Sequence, residues 1–197
     1  MTREILIALR MTLVTLVLTG LAYPLAMTGL AQVLFPARAN GSLVTDAAGH
    51  TVGSELIAQA FTKPGYFQPR PSAAGNGYDA ANSAGSNLGP TSQKLRDRVV
   101  ADVQRLQKEN PDAAGPVPAE LVTTSASGLD PDLSPEAARW QIPRVAKARG
   151  RTVAEMQSFV DEAVRGRTLG FLGEPTVNVL RLNLALDQRF APAGASR

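Results

Sequence analysis

Between Arg10 and Arg38 the chain carries no charged side chain. At roughly 1.5 Å of rise per residue, a helix over this uncharged run, residues 11–37, would be about 40 Å long, and the hydrocarbon core of a bilayer is about 30 Å thick. Residues 11–34 are therefore enough to cross a membrane with some tilt. A charge at the centre of such a span costs about 2.5–3.5 kcal/mol on insertion scales, and none is present. The reading is one crossing near the N-terminus followed by roughly 160 residues of water-soluble chain. A cleaved signal peptide is the competing reading, and Ala37-Arg38-Ala39 has the small-x-small form of a cleavage site. A signal's apolar region is only about 7–15 residues, and this run is about twice that, which favours a retained anchor. Arg3, Arg10 and the α-amino group precede the span with Glu4 as the only offset. That bias places the N-terminus in the cytoplasm and the following domain outside.

Within the span, Gly20, Ala22, Pro24 and Ala26 form a small-residue stretch, with Gly20 and Pro24, and Ala22 and Ala26, each four apart. Such spacing lets another helix approach closely. Pro24 also frees a backbone carbonyl and is expected to kink the helix.

Composition narrows what the remainder does. There is no cysteine, which excludes disulfides and thiolate metal sites. The net charge is only +3 with both signs interspersed, and aromatic residues make up 5% of the chain; neither suits a nucleic-acid binder. The length after residue 37 suits one ordinary domain, residues 38–190, with a fraying tail at 191–197. Its expected class is α+β: a hairpin over 43–53, a brief helix over 55–60, and a long Gly/Pro/Ser/Asn-rich loop over 63–90 anchored by Tyr66, Phe67 and Tyr78. A helix capped by Ser92 follows, with Leu95, Val99, Val103 and Leu106 on one face. Further on come a short strand at 121–123, a helix starting at Ser134-Pro135-Glu136 and broken at Pro143, and a stop at Gly150. A capping box at Thr152/Glu155 opens a helix with Val153, Met156, Val160 and Val164 as its inner face, ending at Gly166. The Val/Leu-rich segment 176–187 reads as a strand with both faces partly covered.

The chemistry-bearing motifs are sparse. His50 is the single histidine and lies in the hairpin, apart from any partner motif for a Ser-His-Asp arrangement. No spacing of His and acids matches a metal site. Thr91-Ser92-Gln93-Lys94 has the outline of Ser-x-x-Lys, but a threonine stands at the nucleophile's place and no Lys-Thr-Gly follows. Asp130 and Asp132 could hold a cation, or form an exposed acidic turn. The loop 84–89 is glycine-rich but lacks the Gly-Lys-Thr/Ser ending of a phosphate cradle, and reads as a structured turn. Arg139, Arg144, Lys147, Arg149 and Arg151 form a basic cluster, either a solvated face or a phosphate or acidic-partner contact. A membrane anchor bearing a domain without a self-contained active site points to an accessory subunit. The alternatives are an anchored external enzyme and an anchored small-ligand binder using the 63–90 loop.

Several strings then arrive in order: Asn40-Gly41-Ser42-Leu43, Gly65-Tyr66-Phe67, Arg70-Pro71-Ser72-Ala73, Gly85-Ser86-Asn87-Leu88, Glu120-Leu121-Val122-Thr123, and Ser125-Ala126-Ser127-Gly128-Leu129-Asp130. They continue with Trp140-Gln141-Ile142-Pro143-Arg144, Gly173-Glu174-Pro175-Thr176-Val177-Asn178-Val179 and Leu182-Asn183-Leu184-Ala185-Leu186-Asp187. In these the chain resembles the C-subunit (KdpC) family of Kdp-type potassium-transporting P-type ATPases, from the span to about Asp187. The resemblance implies a non-catalytic subunit of a bacterial inner-membrane complex that takes up potassium at the expense of ATP. Its partners would be a channel-like, ion-selecting subunit and a P-type, ATP-hydrolysing subunit. The family is described as a catalytic chaperone that raises the ATP affinity of the hydrolysing subunit, with no tightly bound cofactor of its own. A glutamine in its Trp-Gln-Ile-Pro-Arg region is proposed to contact nucleotide, and the matching position is Gln141. Charge bias sets Gln141 outside and ATP is inside, so an effect on ATP affinity would travel by coupling through helix packing. A further implied alternative is an external cap that stabilises the channel-like subunit without any nucleotide role.

Overall fold

A computed structural model describes residues 1–46 and 48–190. They divide into two compact units, Met1–Val52 and a second beginning at Gly53. The tail expected over 191–197 and the hairpin-turn residue Ala47 lie outside the described residues.

The first unit is built on one long apolar helix, Thr2–Leu34, long and apolar enough to cross a membrane. It consists of α1 (Thr2–Val17), a π-helical turn (Leu18–Ala22) and α2 (Tyr23–Leu34), and none of its residues is buried. A kink is expected at Pro24, and the structure has a π-helical turn ending two residues before it. Proline cannot donate to the carbonyl one turn back, and the helix widens just before it, with the Tyr23 N–H donating to the Leu18 carbonyl. Thr19 adds a hydroxyl bond to the Thr15 carbonyl at 2.7 Å. A short α3 (Pro36–Ala39) leads to β1 (Leu43–Thr45), which pairs with β2 (Thr51–Ser54) as the expected hairpin.

The second unit holds α4 (Gln93–Glu109), α5 (Pro135–Trp140), α6 (Ile142–Arg149), α7 (Val153–Glu162) and α8 (Val179–Arg189). Strands β3 (Asp132–Leu133) and β4 (Val177–Asn178) pair antiparallel, Leu133 opposite Val177. The expected helix starts are present: Ser92 and Ser134 accept from the Leu95 and Ala137 N–H groups, and both halves of the Thr152/Glu155 capping box are made. Gln141 separates α5 from α6, and Pro143 sits in the first turn of α6. Gly150, at φ +63°, ends α6 in a Schellman turn, with the Arg151 N–H on the Ala146 carbonyl. The core joins Phe67, Leu133, Ile142, Met156, Val160, Val177, Leu182 and Leu186.

Four expectations are corrected. The brief helix at 55–60 is a turn, because the Ala58 N–H goes to the Leu129 carbonyl (2.9 Å) rather than to its own helix. The strand at 121–123 is replaced by a 3₁₀ turn, Ala119–Leu121, drawn onto the start of α5 by the Glu120 carboxylate, which accepts from the Ser134 N–H and hydroxyl. The helix α7 stops at Glu162, not Gly166, and Val153 on its outer side is exposed while Phe159 joins the core. The strand at 176–187 is only the β4 pair before α8 begins. Residues 180–189 contain no β-branched side chain, the Asn178 side chain caps the Arg181 N–H, and Val179, Leu182, Asn183 and Leu186 recur at helical spacing.

Candidate functional site

The most elaborate polar construction in the second unit surrounds an irregular strap of chain, residues 64–68. An irregular segment in a core must have its backbone groups satisfied from outside, and here side chains do so. Asn183 of α8 clasps residue 67 with both ends of its amide: the Phe67 N–H donates to Oδ1 (2.9 Å) and Nδ2 donates to the Phe67 carbonyl (2.9 Å). Gln141, between α5 and α6, does the same one residue on. The Gln68 N–H donates to Oε1 (2.8 Å), and Nε2 donates to the Gln68 carbonyl (3.0 Å). Each amide imitates a neighbouring β-strand at a single residue.

Two arginines of α6 complete the clamp. Arg144 donates to the Pro64 and Tyr66 carbonyls (2.6 and 3.0 Å) and to Gln141 Oε1 (2.8 Å). Burial pulls its pKa down to about 10, against the opposing pull of Glu109. Arg149 donates to the Gly65 carbonyl (2.8 Å), the Phe190 carbonyl (2.9 Å) and the Asp187 carboxylate (2.7 Å), with its side chain 1% exposed. Its guanidinium lies 4.7 Å from the centre of the Tyr66 ring. The Tyr66 hydroxyl donates to Asp187 at 2.8 Å, and burial, then the Asp187 carboxylate, raise its pKa.

Gln141 is 1% exposed, and both ends of its carboxamide are engaged within the chain. The basic cluster does not form one face. Arg144 and Arg149 are buried in the clamp, Arg139 pairs with Asp161 (2.7 Å), Lys147 lies 3.8 Å from Asp112, and Arg151 lies over Phe190. The carboxylates of Asp130 and Asp132 are taken by Arg70 and Arg165. Among the described residues no group of three or more His, Asp or Glu side chains could hold a metal ion. The glycine-rich loop 84–89 is a structured turn pressed on the 124–128 segment: the Ala84 N–H donates to the Ser127 carbonyl, and a Cβ on Gly85 would come 2.9 Å from the Ala126 carbonyl oxygen. His50 is exposed beside Asp46. Gly20 and Ala22 sit in the π turn and Pro24 and Ala26 in α2, all exposed. Beside the 63–90 loop lies a cavity of about 320 Å³, lined by Phe61, Gln68, Tyr78, Arg105 and Glu109.

Sequence reasoning singled out Gln141 and passed over Asn183. The signal was present as one amide on an otherwise Leu-rich helix face, which in a core has to be matched by a polar partner.

Comparison with known proteins settles the family. The family described as "KdpC: K+-transporting ATPase, c chain" matches residues 5–188. The chain belongs to the KdpC family. Three relatives are each named a potassium-transporting ATPase KdpC subunit. That of Myxococcus xanthus is 68% identical, covering 95% of this chain and 89% of the relative. That of Caulobacter sp. strain K31 is 58% identical, covering 90% of each. That of Koribacter versatilis is 55% identical, covering 95% of each. Within the KdpC-like strings, Gly65-Tyr66-Phe67, Trp140-Gln141-Ile142-Pro143-Arg144 and the segment Leu182 to Asp187 all converge on the strap, so much of the resemblance is the clamp itself.

Proposed function

We propose that the chain is a non-catalytic accessory subunit of an ATP-driven potassium uptake complex in a bacterial inner membrane, assembling with a channel-like, ion-selecting subunit and a P-type, ATP-hydrolysing subunit. The observation that carries this reading is the family match over residues 5–188, which runs from inside the apolar helix to the end of α8. The helix anchors the chain, with Gly20, Ala22, Pro24 and Ala26 as the close-packing positions against partner helices. The soluble unit lies on the extracytoplasmic side, in keeping with Arg3 and Arg10 ahead of the span.

Its effect on the complex is to raise the ATP affinity of the hydrolysing subunit, and it does so by coupling through the assembly. Gln141 has no free polar group to offer a nucleotide while it holds the strap, so its part is to keep the soluble unit in shape. The test is to purify the complex from membranes with the chain tagged. Co-purification of both partners, with a lower KM for ATP than the complex lacking the chain, is the expected result; a chain that purifies alone refutes the reading. Gln141→Ala should raise the KM for ATP only together with a lower melting temperature, whereas a KM change at unchanged melting would mean direct contact. An alkaline phosphatase fusion after α8 should be active, and an inactive, normally expressed fusion would overturn the placement.

A further inference from the structure

Between α7 and β4 the chain leaves the fold as an arm, residues 165–176. Arg165 and Thr176 exchange backbone hydrogen bonds at its base (2.8 and 3.0 Å), and Thr168 and Leu172 exchange a second pair near the tip (both 2.9 Å). The tip carries Leu169, Phe171 and Leu172, which are 78%, 69% and 49% exposed. The other large exposed hydrophobic side chains of this unit, Leu56, Val100 and Val153, are scattered singly, which is ordinary for a soluble surface. Three together on a projecting turn are not. Leu169 also holds a left-handed backbone at φ +54°, a conformation that costs a residue with a Cβ and that no core contact of its own repays.

We propose that this arm is a docking element whose apolar tip seats in a polar-rimmed, apolar pocket on another subunit of the same ATPase. The proposal rests on the accessory-subunit reading above. A protein pocket is favoured over the bilayer surface by the arm's charges. Its cations are Arg165 and Arg167, and each is already engaged, Arg165 by the Asp132 carboxylate and Arg167 by Glu174 at 2.7 Å. A loop that inserts among anionic headgroups keeps its cations available for them. This arm instead spends its cations on holding its own shape, and a shape fixed in advance suits a single complementary cavity. An aromatic side chain such as Phe171 is also of the kind enriched at protein interfaces.

The chain has no cysteine, so Phe171→Cys introduces a unique reporter at the tip. Labelling by a membrane-impermeant maleimide is measured on the assembled complex and on the lone full-length chain, in detergent micelles and in lipid nanodiscs. At least tenfold slower labelling in the complex alone is the expected result. Equal labelling in complex and lone chain overturns the proposal. Protection already present in the lone chain assigns the tip to lipid or to self-association, and also overturns it. Leu172→Cys repeats the measurement should Phe171→Cys fail to assemble. Loss of co-purification by the unmutated chain refutes the subunit reading itself, so the two failures are told apart.

Discussion

The strap at 64–68 and the arm at 165–176 are both irregular segments of one small unit, and they invert the usual placement of residues. The strap takes two guanidinium groups and two carboxamides into the interior, while the arm holds a phenylalanine and two leucines out in water. Buried polar groups are tolerable when every donor and acceptor is matched, and the strap's are matched largely to backbone. The arm's bridges are between backbone groups, and its apolar side chains have no partner in the core. Polar residues inside therefore serve this fold, and apolar residues outside serve what the fold meets.

That contrast can be broken most sharply at Arg149. Arg149→Met leaves the Gly65 and Phe190 carbonyls without this donor and Asp187, itself part-exposed, with the Tyr66 hydroxyl alone; each buried acceptor left unmatched costs about 1–3 kcal/mol. Melting of the full-length chain, followed by the fluorescence of its single tryptophan, Trp140, should fall by about 10 °C. A loss under 3 °C would mean that the strap holds without its cation. Asn183→Leu should come next, at about 2–4 kcal/mol, because the Phe67 N–H and carbonyl lose both partners at once while apolar volume is kept. Tyr78→Phe removes the hydroxyl bond to the Arg70 carbonyl (2.8 Å), in the same loop as the strap, at about 1 kcal/mol near neutral pH. Burial raises the Tyr78 pKa to about 12, above its ordinary value near 10. The folded state then holds a proton that the unfolded chain has lost, so Tyr78 costs the native protein stability as pH rises from about 10 to 12. The phenylalanine variant should lose less than the unmutated chain over that window in pH-dependent melting. The smallest effect on stability is expected at the arm: Phe171→Ser should shift melting by no more than about 0.5 kcal/mol. A large loss there would place the arm's tip in the core and erase the contrast.

Legibility in the sequence followed the range of the interactions involved. The apolar helix, the Ser134 and Thr152 caps, the break just ahead of Pro143 and the stop at Gly150 were readable because each is decided within one or two turns of chain. The strand expected at 176–187 failed because its alternating leucines fit a period of two as well as a helix face; the absence of β-branched residues after Val179 was the better guide. At the clamp, Gln141 was marked only through family resemblance. Arg149 and Asn183 were obscure because their partners, Gly65 and Phe67, lie 84 and 116 positions away. Arg144 and Arg149, counted among a basic cluster, bear on the interior, since charge by itself does not say which side of a helix is wet.

The π turn at Leu18–Ala22 has a geometric corollary for the anchor. One residue in excess of the α-helical repeat rotates everything beyond it by about 100° relative to a straight helix. A seam of contacts drawn along the first half of the rod therefore does not continue down the second, and the two halves address different sides of their surroundings.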